Sequence, residues 1–319
     1  MRRVEIASYG GIEKLQIVER PIPKRRPEQL LIRVRAIGVN PKDVMVRKSR
    51  FAFLTGRPPI TLGHDIAGEV VEAPRGSIYR SGDAVYGMIN DFSGRAYAEY
   101  VCLSPGEIAM MPPGLSFEEA AAIPLAAQTA LQALRDLGGV GQPDASKRVL
   151  IHGASGGVGT FAIQIARALG GHVTASSSAK NRGLCLELGA HSHIDYCEHP
   201  PASLRPLTGE TFDVFFDVFG NQSLRAVAGA LSPNGVYINT IPNGRVIREV
   251  LTSVFSAQKA KLVVVRSRSS DLDILSEMVS LGELRSVIAA VLPLSDVHEA
   301  HRLIESRRTR GKIILDPSR

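Results

Sequence analysis

The stretch "RVLIHGASGGVGTFAIQIARALG" (148–170) joins a buried-type strand to an amphipathic helix through a turn holding Gly153, Gly156, Gly157 and Gly159. A glycine turn in this position lets the backbone approach a pyrophosphate, whose charge then sits at the positive N-terminus of the helix. Ser155, Gly156, Gly157 and Val158 are the residues such a cradle would use. The spacing departs from G-x-G-x-x-G by one methyl, because Ala154 occupies the first glycine position. A tight turn with no ligand would account for the glycines alone, whereas the strand, helix and second strand around them favour a dinucleotide site.

The same grammar continues downstream. "HVTASS" reads as a strand, "KNRGLCLELG" as a helix, and "SHIDY", "FDVFFDVFG", "GVYINTI" and "KLVVVRS" as further strands. Strands alternating with helices over short connections specify a parallel sheet covered on both faces. The tail from 286 carries a strand, a helix starting near Asp296 and a final strand. Upstream, residues 1 to about 120 form short alternating segments such as "LLIRVRAIGVN", punctuated by Gly and Pro, which indicates a compact β-rich domain. "SFEEAAAIPLAAQTALQAL" (116–134) then opens a helix, with Ser116 and Glu119 at capping-box spacing and Pro124 breaking or kinking it.

Composition narrows the class. A chain of 319 residues, 44% hydrophobic, suits two globular domains. No apolar run reaches the roughly 18 residues of a membrane span, and "MRRVEIASYGG" alternates like a strand instead of building a signal-peptide core, so a cytoplasmic protein is expected. Cys102, Cys185 and Cys197 are too scattered for a disulfide framework. The net charge of +7 is dispersed, Trp is absent and aromatics are 5%, which reads as solvated surface rather than a nucleic-acid footprint.

The end of the second strand selects the cofactor. An NAD site wants a carboxylate there for the ribose 2′-hydroxyl. This chain has "TASSSAKNR" (174–182): Ser176, Ser177, Ser178, Lys180 and Arg182. Hydroxyls and cations suit the 2′-phosphate of NADPH. One charge-assisted hydrogen bond, worth about 1.5–3 kcal/mol, would favour it by roughly 10- to 150-fold. The alternative is that Lys180 and Arg182 merely solvate a helix start.

Together with "GVNPKDV" (38–44), "LGHDIAGEVV" (62–71), "GDAVYGM" (82–88), "AAAIPLAAQTALQAL" (120–134), "LGAHSHIDY" (188–196) and "RGKIIL" (310–315), these residues give the chain a whole-length resemblance. It resembles the zinc-independent quinone oxidoreductases, the zeta-crystallin-like branch of the medium-chain dehydrogenase/reductase superfamily. The resemblance implies a GroES-like β-rich catalytic domain (1–122 and 268–319), a Rossmann doubly wound parallel-sheet domain (123–267) and a cleft between them. It implies that Ser176, Lys180 and Tyr196 bind the 2′-phosphate, that Asn40 and Thr129 border the nicotinamide, and that edge strands, with "KLVVVRS" the candidate, join two copies into a homodimer.

Zinc-dependent members of the superfamily take their catalytic ligands from a Cys, a His and typically a second Cys at positions matching Asn40, His64 and Leu125 here. One imidazole is not a site. The four cysteines of a structural zinc lobe are missing too, as residues 90–115 hold only Cys102. No metal is therefore expected, although an improvised set of His64, Asp65 and Asp43 is chemically conceivable. For Asp65 the plainer expectation is a scaffold carboxylate accepting backbone hydrogen bonds.

Without a metal, a protein using NADPH need only hold an acceptor against the nicotinamide and stabilise the charge that develops. Asn40 and His64 are the acceptor-pocket candidates on a quinone or α,β-unsaturated carbonyl, and the general acid is unassigned. Two alternatives stand beside this one. An enoyl-thioester reductase would often carry a tyrosine in the region of "VMVRKSRFAFLTGRPP" (44–59), which has Phe51 and Phe53 instead. Lys42, Lys48 and Arg50 would then face a phosphopantetheine, or else line a solvated loop. The other is a non-catalytic NADPH-binding or weakly RNA-binding protein.

Overall fold

The computed structural model describes residues 1–142, 146–200 and 211–319. The chain divides into two units, one formed by Met1–Gln128 with Arg266–Arg319 and the other by Thr129–Val265.

In the first unit, β1 (Arg2–Ile6) lies between β2 (Leu15–Glu19) and the short β4 (Ile60–Thr61). A larger sheet is built around β3 (Leu30–Val39), whose burial alternates over "RVR" before both faces close at "AIGV". Its order runs β15 (Ile288–Pro293), β16 (Lys312–Asp316), β3, β5 (Asp65–Glu72), β6 (Ala84–Met88), β8 (Ile108–Met110), with β7 (Tyr100–Leu103) also pairing with β3. Ile32, Ile37, Leu62, Ile66, Val85, Tyr97 and Ile313 fill one apolar core against it. Helices α1 (Pro41–Arg47) and α2 (Ala52–Thr55) follow β3.

The expected helix start at Ser116 is present: α3 (Phe117–Ala121) has the full Ser116–Glu119 capping box, and α4 (Pro124–Leu131) begins at the proline expected to break it. Pro124 has no N–H to donate, so it ends one helix and opens the next.

The second unit is a six-stranded sheet with every pairing parallel. Its order is β11 (Ser192–Asp195), β10 (His172–Ser177), β9 (Arg148–His152), β12 (Phe212–Asp217), β13 (Leu231–Asn239), β14 (Lys259–Leu262). The glycine turn leads from β9 into α5 (Gly157–Ala168), and α6 (Arg182–Glu187) follows β10.

The structure departs from the expected elements at three places. The last strand covers 259–262 rather than "KLVVVRS", because the ladder with β13 ends at Leu262. Helices at Gly244–Thr252 and Ser269–Ser280 were not anticipated. Both carry apolar residues at helical spacing, Val246, Ile247, Val250 and Leu251 in the first and Leu272, Leu275, Met278 and Val279 in the second, although the first buries only Val246.

Gly159 sits where α5 crosses the turn. A Cβ there would lie 2.2 Å from the Gly153 carbonyl oxygen and 2.7 Å from the Ala154 backbone, and neither can give way cheaply. Gly159→Ala should therefore cost about 1–3 kcal/mol in urea unfolding, an overpacking penalty. An unchanged midpoint would show that the turn can move.

Candidate active site

Strand topology concentrates polar residues at one end of the larger sheet of the first unit. β3 ends at Val39, while β5 and β16 both run antiparallel to it and begin there, at Asp65 and Lys312. Asn40, Asp65 and Lys312 are thus neighbours across three adjacent strands, and all are buried. Gly38 pairs with Asp65, and a Cβ on it would lie 2.9 Å from the Asp65 carboxylate and 2.5 Å from the Ala121 carbonyl oxygen, so the glycine leaves the carboxylate its room.

The cluster is closely bonded. Lys312 Nζ donates to Asp65 Oδ2 at 3.0 Å and to Asn40 Oδ1 at 2.6 Å. Asn40 Nδ2 donates to the same Asp65 oxygen at 2.9 Å and to the Gly38 carbonyl at 3.3 Å, and the Leu125 N–H donates to Asp65 Oδ1 at 2.7 Å. Burial pushes the Asp65 carboxyl above its ordinary value, while Lys312, Asn40 and the Leu125 amide pull it back. Asp65 is therefore more than an acceptor of backbone bonds: it holds an ammonium and an amide in the interior.

Asn40 also caps α1, donating its N–H to Asp43 Oδ2 at 2.9 Å. Asp43 is completely buried and accepts further from His64 Nδ1 at 2.6 Å and from the Tyr97 hydroxyl at 3.0 Å. Burial alone would raise its carboxyl, but His64, His301 and the Asn40 amide outweigh that and hold it below the ordinary range. Because Tyr97 donates to Asp43, its oxygen accepts from His301 Nε2 at 3.2 Å, leaving His301 Nδ1 without a partner among the described residues. Asp43 thus joins the two candidates Asn40 and His64.

Those two candidates are less free than their positions in sequence suggest. Both amide hydrogens of Asn40 are engaged, which leaves its carbonyl oxygen as the atom with spare capacity. His64 is fully buried, and its Nε2 lies 3.2 Å from the Phe92 carbonyl oxygen, so both ring nitrogens face acceptors. Zinc does not fit this donor set. Asn40 and Leu125 stand at the other ligand positions, His64 has no nitrogen to spare, and Lys312 already places a cation against Asp65. Among the described residues no group of three or more His, Cys, Asp or Glu is arranged to hold a metal ion.

In the second unit, α5 begins without a side-chain cap at Gly156, and residues 155–158 are half-buried. Its first-turn N–H groups therefore have no helical partner, which is the arrangement an anion fits. Ser155 is tied to the end of β10 through Asn181, whose Nδ2 lies 2.8 Å from the Ser155 hydroxyl and 3.2 Å from that of Ser178. Ser176, expected to meet the 2′-phosphate directly, is instead fully buried as an inward-facing residue of β10, its hydroxyl 3.2 Å from His152 Nδ1. His152 Nε2 reaches Asn221 Oδ1 at 3.0 Å, and the imidazole packs edge-on against Tyr196 at 5.9 Å. Burial lowers the pKa of His152 despite the pull of Asp217 and Asn221. Ser178 is half-buried, while Lys180, Arg182 and Tyr196 are exposed; Thr129 is buried on α4.

Lys312, Tyr97, His301, His152 and Asn181 were not singled out from the sequence. The available signal was a lysine opening the wholly buried strand "KIILD", where a charge needs a partner.

The His301 network has a pH signature. Burial, aided by Arg47, pushes the imidazole down to about 4 from 6.5, against Asp43 and Glu305. The unfolded ring takes a proton below 6.5 and the folded ring resists to about 4. This contribution is complete above 6.5 and is lost as pH falls through that window, on the order of 3 kcal/mol in all. In urea unfolding, His301→Gln should flatten the acid-side decline between pH 6.5 and 4; an identical decline in both proteins would contradict the assignment.

Residues 26–124 match the alcohol dehydrogenase GroES-like domain family and residues 188–315 the zinc-binding dehydrogenase family. A chloroplastic quinone oxidoreductase, QR1, from Triphysaria versicolor is 32% identical over 324 residues, spanning 99% of this chain and 98% of the relative. A quinone oxidoreductase structure from Coxiella burnetii superposes with a TM-score of 0.88 at 32% identity, covering 99% of each chain. That of the Escherichia coli quinone oxidoreductase complexed with NADPH gives 0.86 at 25% identity, covering 99% of this chain and 100% of the other. The chain belongs to the medium-chain dehydrogenase/reductase superfamily, on its quinone oxidoreductase branch, and is an oxidoreductase.

Proposed function

We propose that this protein is an NADPH-dependent reductase that works without zinc on a quinone or an α,β-unsaturated carbonyl. The observation that carries the NADPH reading is the end of β10. It offers the half-buried Ser178 and the exposed Lys180 and Arg182, with no carboxylate to receive a ribose 2′-hydroxyl. The NADPH bound by the Escherichia coli structure supports the same reading.

In this assignment the N–H groups of Ser155, Gly156, Gly157 and Val158 bind the pyrophosphate. Lys180, Arg182 and Tyr196 meet the 2′-phosphate, with Ser176 beneath them orienting His152 against Tyr196. Asn40 and Thr129 border the nicotinamide, Asn40 through the carbonyl oxygen that Lys312 holds in place. NADPH, when bound, would supply the hydride. His64 shapes the acceptor pocket by fixing the Phe92 backbone and Asp43. Assembly as a homodimer fits the outer position of β14, beside which Leu251, Phe255 and Val264 are exposed.

Steady-state oxidation of NADPH and NADH with quinones, short enones and trans-2-enoyl thioesters tests this reading. Quinone or enone turnover with at least a ten-fold preference for NADPH is expected, the size of one charge-assisted hydrogen bond. A preference for NADH would overturn the phosphate site. Thioester turnover far above that of quinones would favour an enoyl-thioester reductase, and tight NADPH binding with no turnover a non-catalytic protein.

A further inference from the structure

The pocket candidates Asn40 and His64 are locked by their interior partners, so the group that handles charge and protons at the acceptor oxygen lies elsewhere. Lys42, two residues past Asn40 on α1, is half-buried, and among the described residues it makes no salt bridge and no hydrogen bond. Its ammonium instead stands over the face of Phe92, 5.1 Å from the ring centroid. Phe92 meets Phe51 edge to face at 5.4 Å, and its carbonyl oxygen lies 3.2 Å from His64 Nε2. The turn carrying Phe92 is thereby fastened to the Asp43 cluster, and Lys42 is held against it.

The surroundings suit chemistry better than stability. A lysine that is merely solvated extends its ammonium into water, and a structural one pairs with a carboxylate. Lys48, on the same segment, does the latter with Glu305 at 3.2 Å. Lys42 does neither, although Asp43 on α1, Asp65 on β5 and Asp91 in the Phe92 turn face it from a distance and Asp91 pairs with Arg95. Burial lowers the pKa of its ammonium from the ordinary lysine value, the three carboxylates opposing, which brings an acid closer to working pH.

We propose that Lys42 is the catalytic acid of this protein, presenting its ammonium to the oxygen of a planar acceptor that packs on Phe51 and Phe92. The assignment deepens the quinone and enone reductase reading and rests on it. A bound NADPH would supply a hydride to the acceptor, which would leave negative charge on the acceptor oxygen. At that oxygen an O–H bond forms as a Lys42 Nζ–H bond breaks, and solvent returns a proton to the neutral amine. In sum, acceptor, NADPH and one proton give the reduced acceptor and NADP⁺.

The test compares wild type, Lys42→Met and Lys42→Arg using NADPH and 1,4-benzoquinone, with kcat followed from pH 6 to 10.5 and NADPH affinity by fluorescence titration. Lys42→Met keeps the apolar stem; it should bind NADPH within two-fold of wild type and lose at least ten-fold in kcat. Wild-type kcat should fall as pH rises through the Lys42 pKa, below 10.5. Lys42→Arg should recover part of the rate and move that fall upward, and Lys42→Met should lack it. Wild-type kcat and pH profile in Lys42→Met would overturn the acid alone, as would a loss of NADPH affinity matching the loss of rate. Absence of quinone and enone turnover in the wild type would take down the reductase reading and the acid with it.

Discussion

The contact between the Lys312 ammonium and the Asp65 carboxylate, 3.0 Å apart and closed off from solvent, is the constraint on which the candidate site depends. Such a pair is expensive to desolvate and survives only where further hydrogen bonds complete it. Here Asn40 bonds both members and the Leu125 amide takes the remaining carboxylate oxygen. The three strand ends at residues 40, 65 and 312 are thereby pinned, and the start of α1 is fixed with them. In this chain a fixed ammonium stands against the carboxylate, and the two other positions that carry zinc ligands in metal-dependent relatives are an amide and a leucine.

A second layer is built outward from that pair. Asn40 belongs to both the Asp65 and Asp43 groups, through its side chain to one and its backbone to the other. Asp43 in turn collects His64 and Tyr97, and His64 meets the carbonyl of Phe92. Buried polar networks of this kind are rigid when satisfied and costly when one member is removed. The groups left with chemical freedom lie at the rim, where Lys42, Phe51 and Phe92 are half-buried.

Much of the architecture was legible because its signals are local. The glycine turn between β9 and α5, the alternation of strand and helix after residue 147, and the Ser116 capping box are each decided within a few residues. The helices at Gly244–Thr252 and Ser269–Ser280 carry the same kind of local signal, apolar residues at three- and four-residue spacing, and no physical obstacle hid them. The site was legible only in part for a different reason. Asn40 and Lys312 are 272 residues apart, and only sheet register brings them together. Likewise the three serines at the end of β10 look equivalent in sequence, yet Ser176 and Ser177 lie within the strand and are buried, while Ser178 just beyond it is half-buried.

Urea unfolding at neutral pH of Lys312→Met, Asp65→Asn and the double variant measures the Lys312–Asp65 pair directly. Removing the ammonium alone should cost about 3–5 kcal/mol, because a buried carboxylate is left uncompensated, and adding Asp65→Asn should restore most of that loss. A Lys312→Met protein within about 0.5 kcal/mol of wild type, the range of a surface substitution, would contradict it.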